Sequence, residues 1–312
     1  MRYTIGIDLG GTNIAAGILD EDYNILRTLT TPTNLPRAAE AIVDDMAALA
    51  RELLKTAPAD RVGVGSPGLI SQGVVRSASN LRFRNVPMQA MLEERLGLPV
   101  RIGNDANAAA LGEYVAGAAK GADSFIMVTL GTGIGGGIIN EGKVVDGFND
   151  VGGEIGHFVL YPNGRPCPCG RKGCFEAYCS ASALTADTIR AMWLHPESAL
   201  WKIVDGDLHR VNGKTAFDGM RAGDKVAAEL VDEFISNLAL GLSNLVTLLQ
   251  PEIIAIGGGI SREGDTLLVP LRRQVEAASY IGDEHTPRTK IVAAHFMSDS
   301  GIVGAAALWG GQ

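Results

Sequence analysis

Three clustered cysteines and a nearby histidine are the first residues in this sequence with an evident capacity for chemistry. The cysteines follow the pattern Cys167-x-Cys169-x4-Cys174, and His157 precedes them. Three thiolates and one imidazole are a standard ligand set for a closed, tetrahedral zinc site. In a reducing compartment such clustering favours metal binding over disulfide formation. We therefore expect a structural zinc site, with Cys179 as a competing fourth ligand and a metal-free reduced cluster as the alternative.

Two aspartates follow short apolar runs typical of buried strands. Asp8 ends the run that starts at Tyr3, and Asp105 ends the run that starts at Val100 and precedes an Ala-rich helix. Phosphoryl transfer needs a carboxylate that binds magnesium and a group that receives the proton of the acceptor hydroxyl. Asp8 fits the first role and Asp105 the second. The alternatives are a turn-stabilising Asp8 and a helix N-cap at Asp105, with Asn104 beside it, and the spacing leaves both open.

Glycine-rich turns occur at three places, Gly10-Gly11, Gly131–Gly137 and Gly257–Gly259. Without a Cβ the backbone of such a turn approaches an anion closely and presents its N–H groups. The second turn matches G-x-G-x-x-G, but a dinucleotide-binding turn must open a helix, and here a strand follows. Each turn alone is typical of an ordinary hairpin. Together the three favour a phosphate-binding site.

The elements that must position these residues alternate between strands and helices. Ile5–Asp20 and the stretch that begins at Phe125 both show an apolar strand, a glycine turn and a returning strand, as in a weak internal duplication. The chain has 312 residues, more than one core usually holds, so two lobes are expected. We predict a small α/β lobe from 1–113 and 298–312, and a large α/β lobe from 114–297 that carries the cysteine segment.

Composition excludes several classes of function. The formal net charge is −8, and no basic run is present, which argues against nucleic-acid binding. The N-terminal residues enter a strand pattern directly, without the order of a secretory signal, and no apolar stretch is long enough for a membrane span. We expect a cytoplasmic protein with no nucleic-acid or membrane partner.

Six motifs, in their order and spacing, resemble those of the ROK family of bacterial sugar kinases and repressors. In chain order they are Asp8-Leu-Gly-Gly-Thr-Asn13, Asn104-Asp-Ala-Asn107, Gly131-Thr-Gly-Ile-Gly-Gly-Gly137, Gly153-Glu-Ile-Gly-His157, Cys167-Pro-Cys-Gly-Arg-Lys-Gly-Cys-Phe-Glu176 and Gly257-Gly-Gly259. The resemblance runs from residue 5 to about residue 308. Within the family, the chain most resembles the glucokinases with a zinc motif.

The resemblance implies a two-lobed, actin-like (ribonuclease-H-like) α/β fold with a deep cleft between the lobes. It also implies ATP-dependent phosphorylation of a hexose, glucose to glucose 6-phosphate in glycolysis, with Mg²⁺ and structural Zn²⁺, by a homodimer or homotetramer. The alternatives are another hexose kinase of the family, acting on fructose, N-acetylmannosamine or mannose, and a sugar-binding regulator without its DNA-binding domain. Phe83 and Arg84 stand where many glucokinases have Gly-Trp, which bears on the choice of hexose.

The resemblance further implies a role for each matched residue. Asp105 is the catalytic base. The residues implied to bind hexose hydroxyls are Asn80, Asn104, Asp105, Glu154, His157 and Glu176. The residues implied to bind the nucleotide and its metal are Asp8, Gly10, Gly11, Thr12, Asn13, Thr132, Gly133, Gly258 and Gly259. The implied zinc ligands are His157, Cys167, Cys169 and Cys174, which leaves Cys179 as a packed thiol.

Overall fold

The computed structural model describes residues 2–280, 282–283, 285–296 and 299–310. The chain divides into two compact units. The first consists of Met1–Met127, Gly137–Gly153 and Ala294–Gln312, and the second of Val128–Gly136 and Glu154–Ala293. The lobe boundary predicted between 297 and 298 lies outside the described residues, and the predicted lobe bounds stay a prediction.

The regular elements alternate along the chain as the sequence predicts. They are β1 (Tyr3–Leu9), β2 (Asn13–Leu19), β3 (Ile25–Pro32), α1 (Ala39–Leu54), β4 (Ala59–Ser66), β5 (Leu69–Ser71), β6 (Val74–Ala78), β7 (Phe83–Val86), α2 (Met88–Leu96), β8 (Val100–Asn104), α3 (Asp105–Val115), β9 (Ser124–Leu130), β10 (Ile134–Asn140), β11 (Lys143–Val144), α4 (Glu176–Cys179), α5 (Ala181–Leu194), α6 (Leu200–Ile203), α7 (Thr215–Arg221), α8 (Lys225–Leu249), β12 (Ile253–Gly257), α9 (Asp265–Ala278), β13 (Lys290–Ala293) and α10 (Ser300–Ala307). None of the helices in the described residues is long and apolar enough to cross a membrane.

The main sheet of the first unit has the order β3-β2-β1-β4-β8. Strands β1, β2 and β3 pair antiparallel, whereas β4 runs parallel to both β1 and β8. In this register Asp8 pairs with Gly65, and the next residue of β4, Ser66, pairs with Asn104. Because the carboxyl ends of parallel strands meet at one edge, Asp8 and the start of α3 lie at the same edge of the sheet.

Helices cover both faces of this sheet because its strands alternate between bulky and small residues. Ile5 and Ile7 are fully buried in a core that includes Ile42 of α1. On the opposite face an added Cβ at Gly63 would lie 1.7 Å from the carbonyl oxygen of Ala305 in α10. Glycine at that position therefore lets α10 lie directly on the sheet, next to α3.

A small antiparallel sheet, β5-β6-β7, carries the turn that contains Asn80. Phe83 is 4% exposed and belongs to the apolar core of the first unit, while Arg84 is exposed and pairs with Ser77 across the sheet. The aromatic side chain of Phe83 therefore packs in the hydrophobic core of the first unit.

The second five-stranded sheet has the order β11-β10-β9-β12-β13, and the boundary between the two units passes through β9 and β10. Strand β13 is at its edge and pairs parallel with β12. Helix α8, with 25 residues, is the longest helix in the described residues and buries one face that includes Phe234, Leu238 and Leu242.

Candidate functional site

Asn104, not Asp105, caps helix α3. The Oδ1 atom of Asn104 accepts hydrogen bonds from the backbone N–H groups of Ala106, at 2.9 Å, and Asn107, at 3.1 Å. Asp105 is the first residue of the helix, and its Oδ1 accepts from the N–H of Ala106 at 2.9 Å. The alternative interpretation of Asp105 as the N-cap is therefore wrong. Its carboxylate stands at the N-terminus of the helix.

Asp8 is a partly buried carboxylate beside a second one. Burial, and after it the negative charge of Asp105, raise the pKa of Asp8 from 3.8 to about 6. Its Oδ2 lies 2.5 Å from the position that a Cβ on Gly301 would take, so glycine there leaves room for the carboxylate at the start of α10. Two neighbouring carboxylates, one of them desolvated, are a chemical setting in which a divalent cation lowers the electrostatic cost.

The glycine turn between β1 and β2 is held by backbone groups and by Thr33. The N–H of Gly10 donates to the carbonyl of Asn13 at 2.9 Å, and the N–H of Thr33 donates to the carbonyl of Thr12 at 2.8 Å. The fully buried Thr33 also donates its hydroxyl to the carbonyl of Gly10 at 2.8 Å. These bonds close the turn, and Gly11, Thr12 and Asn13 are exposed. The sequence analysis missed Thr33, which follows a strand and carries no motif.

A polar cavity of about 200 Å³ lies in the first unit and includes Asn104 in its wall. Asn107, Asp146 and Asp150 also line it, and the Asn107 Nδ2 donates to Asp146 Oδ1 at 2.8 Å. Burial, and secondarily the charge of Asp150, raise the pKa of Asp146. The sequence analysis missed both aspartates, although the polar stretch after β11 is a signal that could have indicated them.

Glu176 links the second glycine turn to the cysteine segment. Its Oε2 accepts the backbone N–H of Ile134 at 2.9 Å, and its Oε1 lies 3.8 Å from the Sγ of Cys167. An added Cβ at Gly133 would lie 2.3 Å from Glu176 Oε2, so a larger residue there would displace the Glu176 carboxylate. His157 donates its backbone N–H to the carbonyl of Glu154 at 3.0 Å, which places both in one short turn.

The cysteine cluster has the ligands and spacing of a tetrahedral metal site. The ligand atoms of His157, Cys167, Cys169 and Cys174 all lie within 4.8 Å of one another. Cys169 Sγ is 3.6 Å from Cys174 Sγ, and Cys167 Sγ is 3.8 Å from His157 Nδ1. A tetrahedron with Zn–S bonds of about 2.3 Å has edges of about 3.8 Å, so the four ligand atoms fit zinc.

Cys179 is not part of that cluster. It is fully buried, and burial raises the pKa of its thiol well above the usual value, as expected for a packed side chain that stays protonated. Within the cluster, a hydrogen bond from the backbone N–H of Arg171 lowers the pKa of Cys169, whereas burial raises the pKa of Cys167 to about 12. Within the described residues, the distances between ligand atoms indicate His157, not Cys179, as the fourth metal ligand.

The second and third glycine turns meet at a cavity of about 250 Å³ in the second unit. Thr132 and Gly259 line it, together with Asn212, Lys214 and Glu263. Gly258 has a φ of +82°, and an added Cβ there would lie 2.4 Å from the carbonyl oxygen of Leu130, so only glycine permits this approach. The sequence analysis missed Asn212 and Lys214, which belong to no motif and come from a loop remote in sequence.

The residues predicted to bind the hexose divide between the two units. Asn80, Asn104 and Asp105 belong to the first unit, where the Asn80 Nδ2 lies 3.7 Å from the Cβ position of Gly11. Glu154, His157 and Glu176 belong to the second unit, in and next to the metal-ligand cluster. Each group is assembled within its own unit, and their predicted roles stay predictions.

The chain is similar over its full length to characterised sugar kinases. The model described as the ROK family matches residues 4–312. A glucokinase of Thermotoga maritima is 38% identical over 307 residues, which cover 97% of this chain and 96% of the relative. A glucokinase of Streptomyces coelicolor is 39% identical, with 99% and 98% covered.

A solved structure gives the same similarity in three dimensions. The ROK family glucokinase of Streptomyces griseus, crystallised in complex with glucose and AMPPNP, matches with a TM-score of 0.85 and 39% identity, covering 98% of each chain. This match confirms the predicted fold class, the α/β fold of the actin-like sugar kinases.

Proposed function

Because this chain belongs to the ROK family over nearly its whole length, we propose that it is an ATP-dependent glucokinase, transferring the γ-phosphoryl group of ATP to the 6-hydroxyl of glucose. The predicted hexose kinase activity is confirmed by the full-length similarity to glucokinases at 38% and 39% identity. The structural observation that carries the assignment is the position of Asp105. Asn104 supplies the helix cap, so the Asp105 carboxylate is not needed for that task.

Asp105 acts as the general base. A hexose hydroxyl attacks a phosphoryl group poorly until its proton has an acceptor, and a positioned carboxylate supplies one. The start of α3 fixes the direction of this side chain, because Asn104 holds the first turn through two backbone N–H groups. The residues proposed to bind hexose hydroxyls are Asn80, Asn104, Glu154, His157 and Glu176. Amides and carboxylates together match a polyol, whose hydroxyls both donate and accept.

The nucleotide is bound by the glycine turns. The phosphates are bound by the backbone N–H groups of Gly11, Thr12, Thr132 and Gly133. Gly10, Asn13, Gly258 and Gly259 complete the nucleotide set, and Lys214 adds a positive charge to the wall of the cavity that Thr132 and Gly259 line. Asp8 would hold Mg²⁺, which would neutralise charge on the phosphates of the nucleotide.

The His157, Cys167, Cys169 and Cys174 cluster holds structural zinc. The ligand-atom distances support this assignment. Nδ1 of His157 lies next to the sulfur of Cys167, so this nitrogen would ligate zinc and the other ring nitrogen would be available to a hexose hydroxyl. The oligomer, a homodimer or homotetramer, and the cytoplasmic location stay predictions from the sequence.

The substitution Asp105→Asn tests the proposed base. It preserves the shape of the side chain and leaves the cap on Asn104, so we expect normal folding with a kcat lower by about 10² to 10⁴-fold. ADP release is measured in a coupled assay with glucose, mannose, fructose and N-acetylmannosamine as acceptors. Glucose should give the highest kcat/KM and mannose the second.

Asp22→Asn, at an exposed position in the first unit, is the matched control and should leave turnover unchanged. A folded Asp105→Asn variant that binds glucose and ATP and turns over within a few-fold of the parent contradicts the mechanism. A kcat/KM for fructose or N-acetylmannosamine above that for glucose contradicts the substrate but not the kinase activity.

A further inference from the structure

A cavity of about 490 Å³ in the second unit is lined by none of the residues assigned to the nucleotide, hexose or zinc. Helix α8, the C-terminal half of α9 and the edge strand β13 with the two residues before it form its walls. Val246, Val275 and Ile291, one from each element, are 2%, 4% and 5% exposed. Sites for small molecules have volumes of about 300–1,000 Å³ and mostly apolar walls. The size and lining of this cavity therefore suit an organic ligand with an apolar body.

The rim of the same cavity carries an excess of positive charge. Arg272, Arg288 and Lys290 line it, against one carboxylate, Glu276. In the part of the chain that the structure describes, none of these three cations forms an ion pair. Arg272 is fixed, since its Nε donates to the carbonyl of Ile291 at 2.7 Å. The charge selects an anion over a cation or a neutral ligand.

A buried hydroxyl without a partner gives an independent indication of a ligand. The Oγ of Ser279, at the C-terminus of α9, is buried and has no hydrogen-bond partner among the described residues. Buried polar atoms in folded proteins nearly always have a partner, because an unpaired one is destabilising. Ser279 lines the cavity, so a polar atom of a ligand in the cavity would satisfy it.

We propose that this cavity is a binding site for an amphiphilic organic anion. The apolar body of the ligand packs against Val275 and Ile291, its acidic group pairs with Arg288 and Lys290, and Ser279 Oγ takes part in a hydrogen bond with it. Glucose does not fit this description, because it is uncharged and has no apolar body, and competition with AMPPNP tests whether a nucleotide fits it. The residues that line the site are distinct from the proposed catalytic residues.

The experiment uses 8-anilino-1-naphthalenesulfonate, an aromatic anion whose fluorescence rises on binding, with AMPPNP and glucose present at saturation. We expect saturable binding of one probe per chain. Arg288→Glu should raise the Kd roughly tenfold or more, since reversing one charge close to the anion costs at least about 1.4 kcal/mol, which is tenfold in Kd. Arg273→Glu makes the same charge change on α9 outside the lining residues and should leave the Kd within about twofold.

Two further measurements keep the test decisive if Arg288→Glu folds poorly. Val275→Trp should fill the cavity and abolish probe binding while turnover with glucose is retained. N-phenyl-1-naphthylamine, an uncharged analogue of the probe, should bind more weakly than the sulfonate, and its binding should be insensitive to Arg288→Glu.

Three results would overturn the proposal: displacement of the probe by AMPPNP, equal effects of the Arg288 and Arg273 substitutions on the Kd, or no saturable binding. A change of sedimenting mass in Arg288→Glu without probe binding to the parent would identify a contact between copies of the chain, and would also overturn it.

Discussion

Asp8 should lower the stability of the protein at neutral pH, and replacing it by Asn should raise that stability. Burial and the charge of Asp105 raise its pKa from 3.8 to about 6 in the folded chain. The folded state therefore holds this proton more tightly than the unfolded state, and stability falls as the pH rises from 3.8 through 6. A difference of about 2.2 pKa units corresponds to about 3 kcal/mol at pH 8.

The destabilisation by Asp8 changes with pH, which distinguishes it from effects of the substitution that do not involve titration of this group. With these two pKa values, the destabilisation by Asp8 is about 1.6 kcal/mol at pH 5 and about 3 kcal/mol at pH 8. The stability of Asp8→Asn relative to the parent should therefore increase by about 1.4 kcal/mol between these pH values. The neutral amide avoids the cost of the buried charge, while the proposed magnesium ligand is lost and turnover should fall.

Urea unfolding of both proteins at pH 5, 6, 7 and 8, with EDTA to remove divalent cations, gives the required difference in free energy. Asp20→Asn is the control, because hydrogen bonds from Asn24 lower the pKa of Asp20 below 3.8. That pKa lies below the tested range, so any change in stability from Asp20→Asn should be the same at pH 5 and pH 8. A variant Asp8→Asn that is less stable than the parent at pH 8, or whose difference from it does not grow with pH, would refute the reasoning.

Two further predictions concern groups inside one unit each. Glu113 is fully buried, and its carboxylate accepts three backbone N–H groups, two at Oε2 and one at Oε1. Glu113→Gln places an amide NH₂ against a donor and should lower the free energy of unfolding in urea by about 1–3 kcal/mol. An unchanged urea midpoint would show that the carboxylate is dispensable. His157→Ala should remove zinc and lower the melting temperature, while Cys179→Ala should retain one zinc per chain in elemental analysis. The reverse result would make Cys179 the fourth ligand in place of His157.

The sequence predicted those features in which the decisive residues are close together along the chain. Cys167, Cys169 and Cys174 lie within one short segment, so their number and spacing already indicated a metal site. The strand, glycine turn and strand around Gly10 and around Gly131 were also readable, because the local pattern of apolar and glycine residues determines a hairpin.

The sequence could not decide which of two adjacent residues of similar chemistry caps a helix. Asn104 and Asp105 are both good helix caps, and a pattern of apolar residues locates a helix start only to within a few residues. The backbone decides between them, because Asn104 has the extended φ and ψ of a cap, −63° and 141°, and Asp105 is already helical. The same limit applied to the fourth zinc ligand, since His157 and Cys179 were both within reach of the cluster along the chain.

Only the tertiary structure determined which segments remote in sequence are in contact. The pKa of Asp8 depends on burial at the edge of its sheet, where Gly301 of α10, at the other end of the chain, leaves room for the carboxylate. Lys214 and Thr132 line the same cavity, although several helices lie between them in the sequence. No local pattern records such a neighbour, because burial and charge act through space, and the fold alone determines which residues share that space.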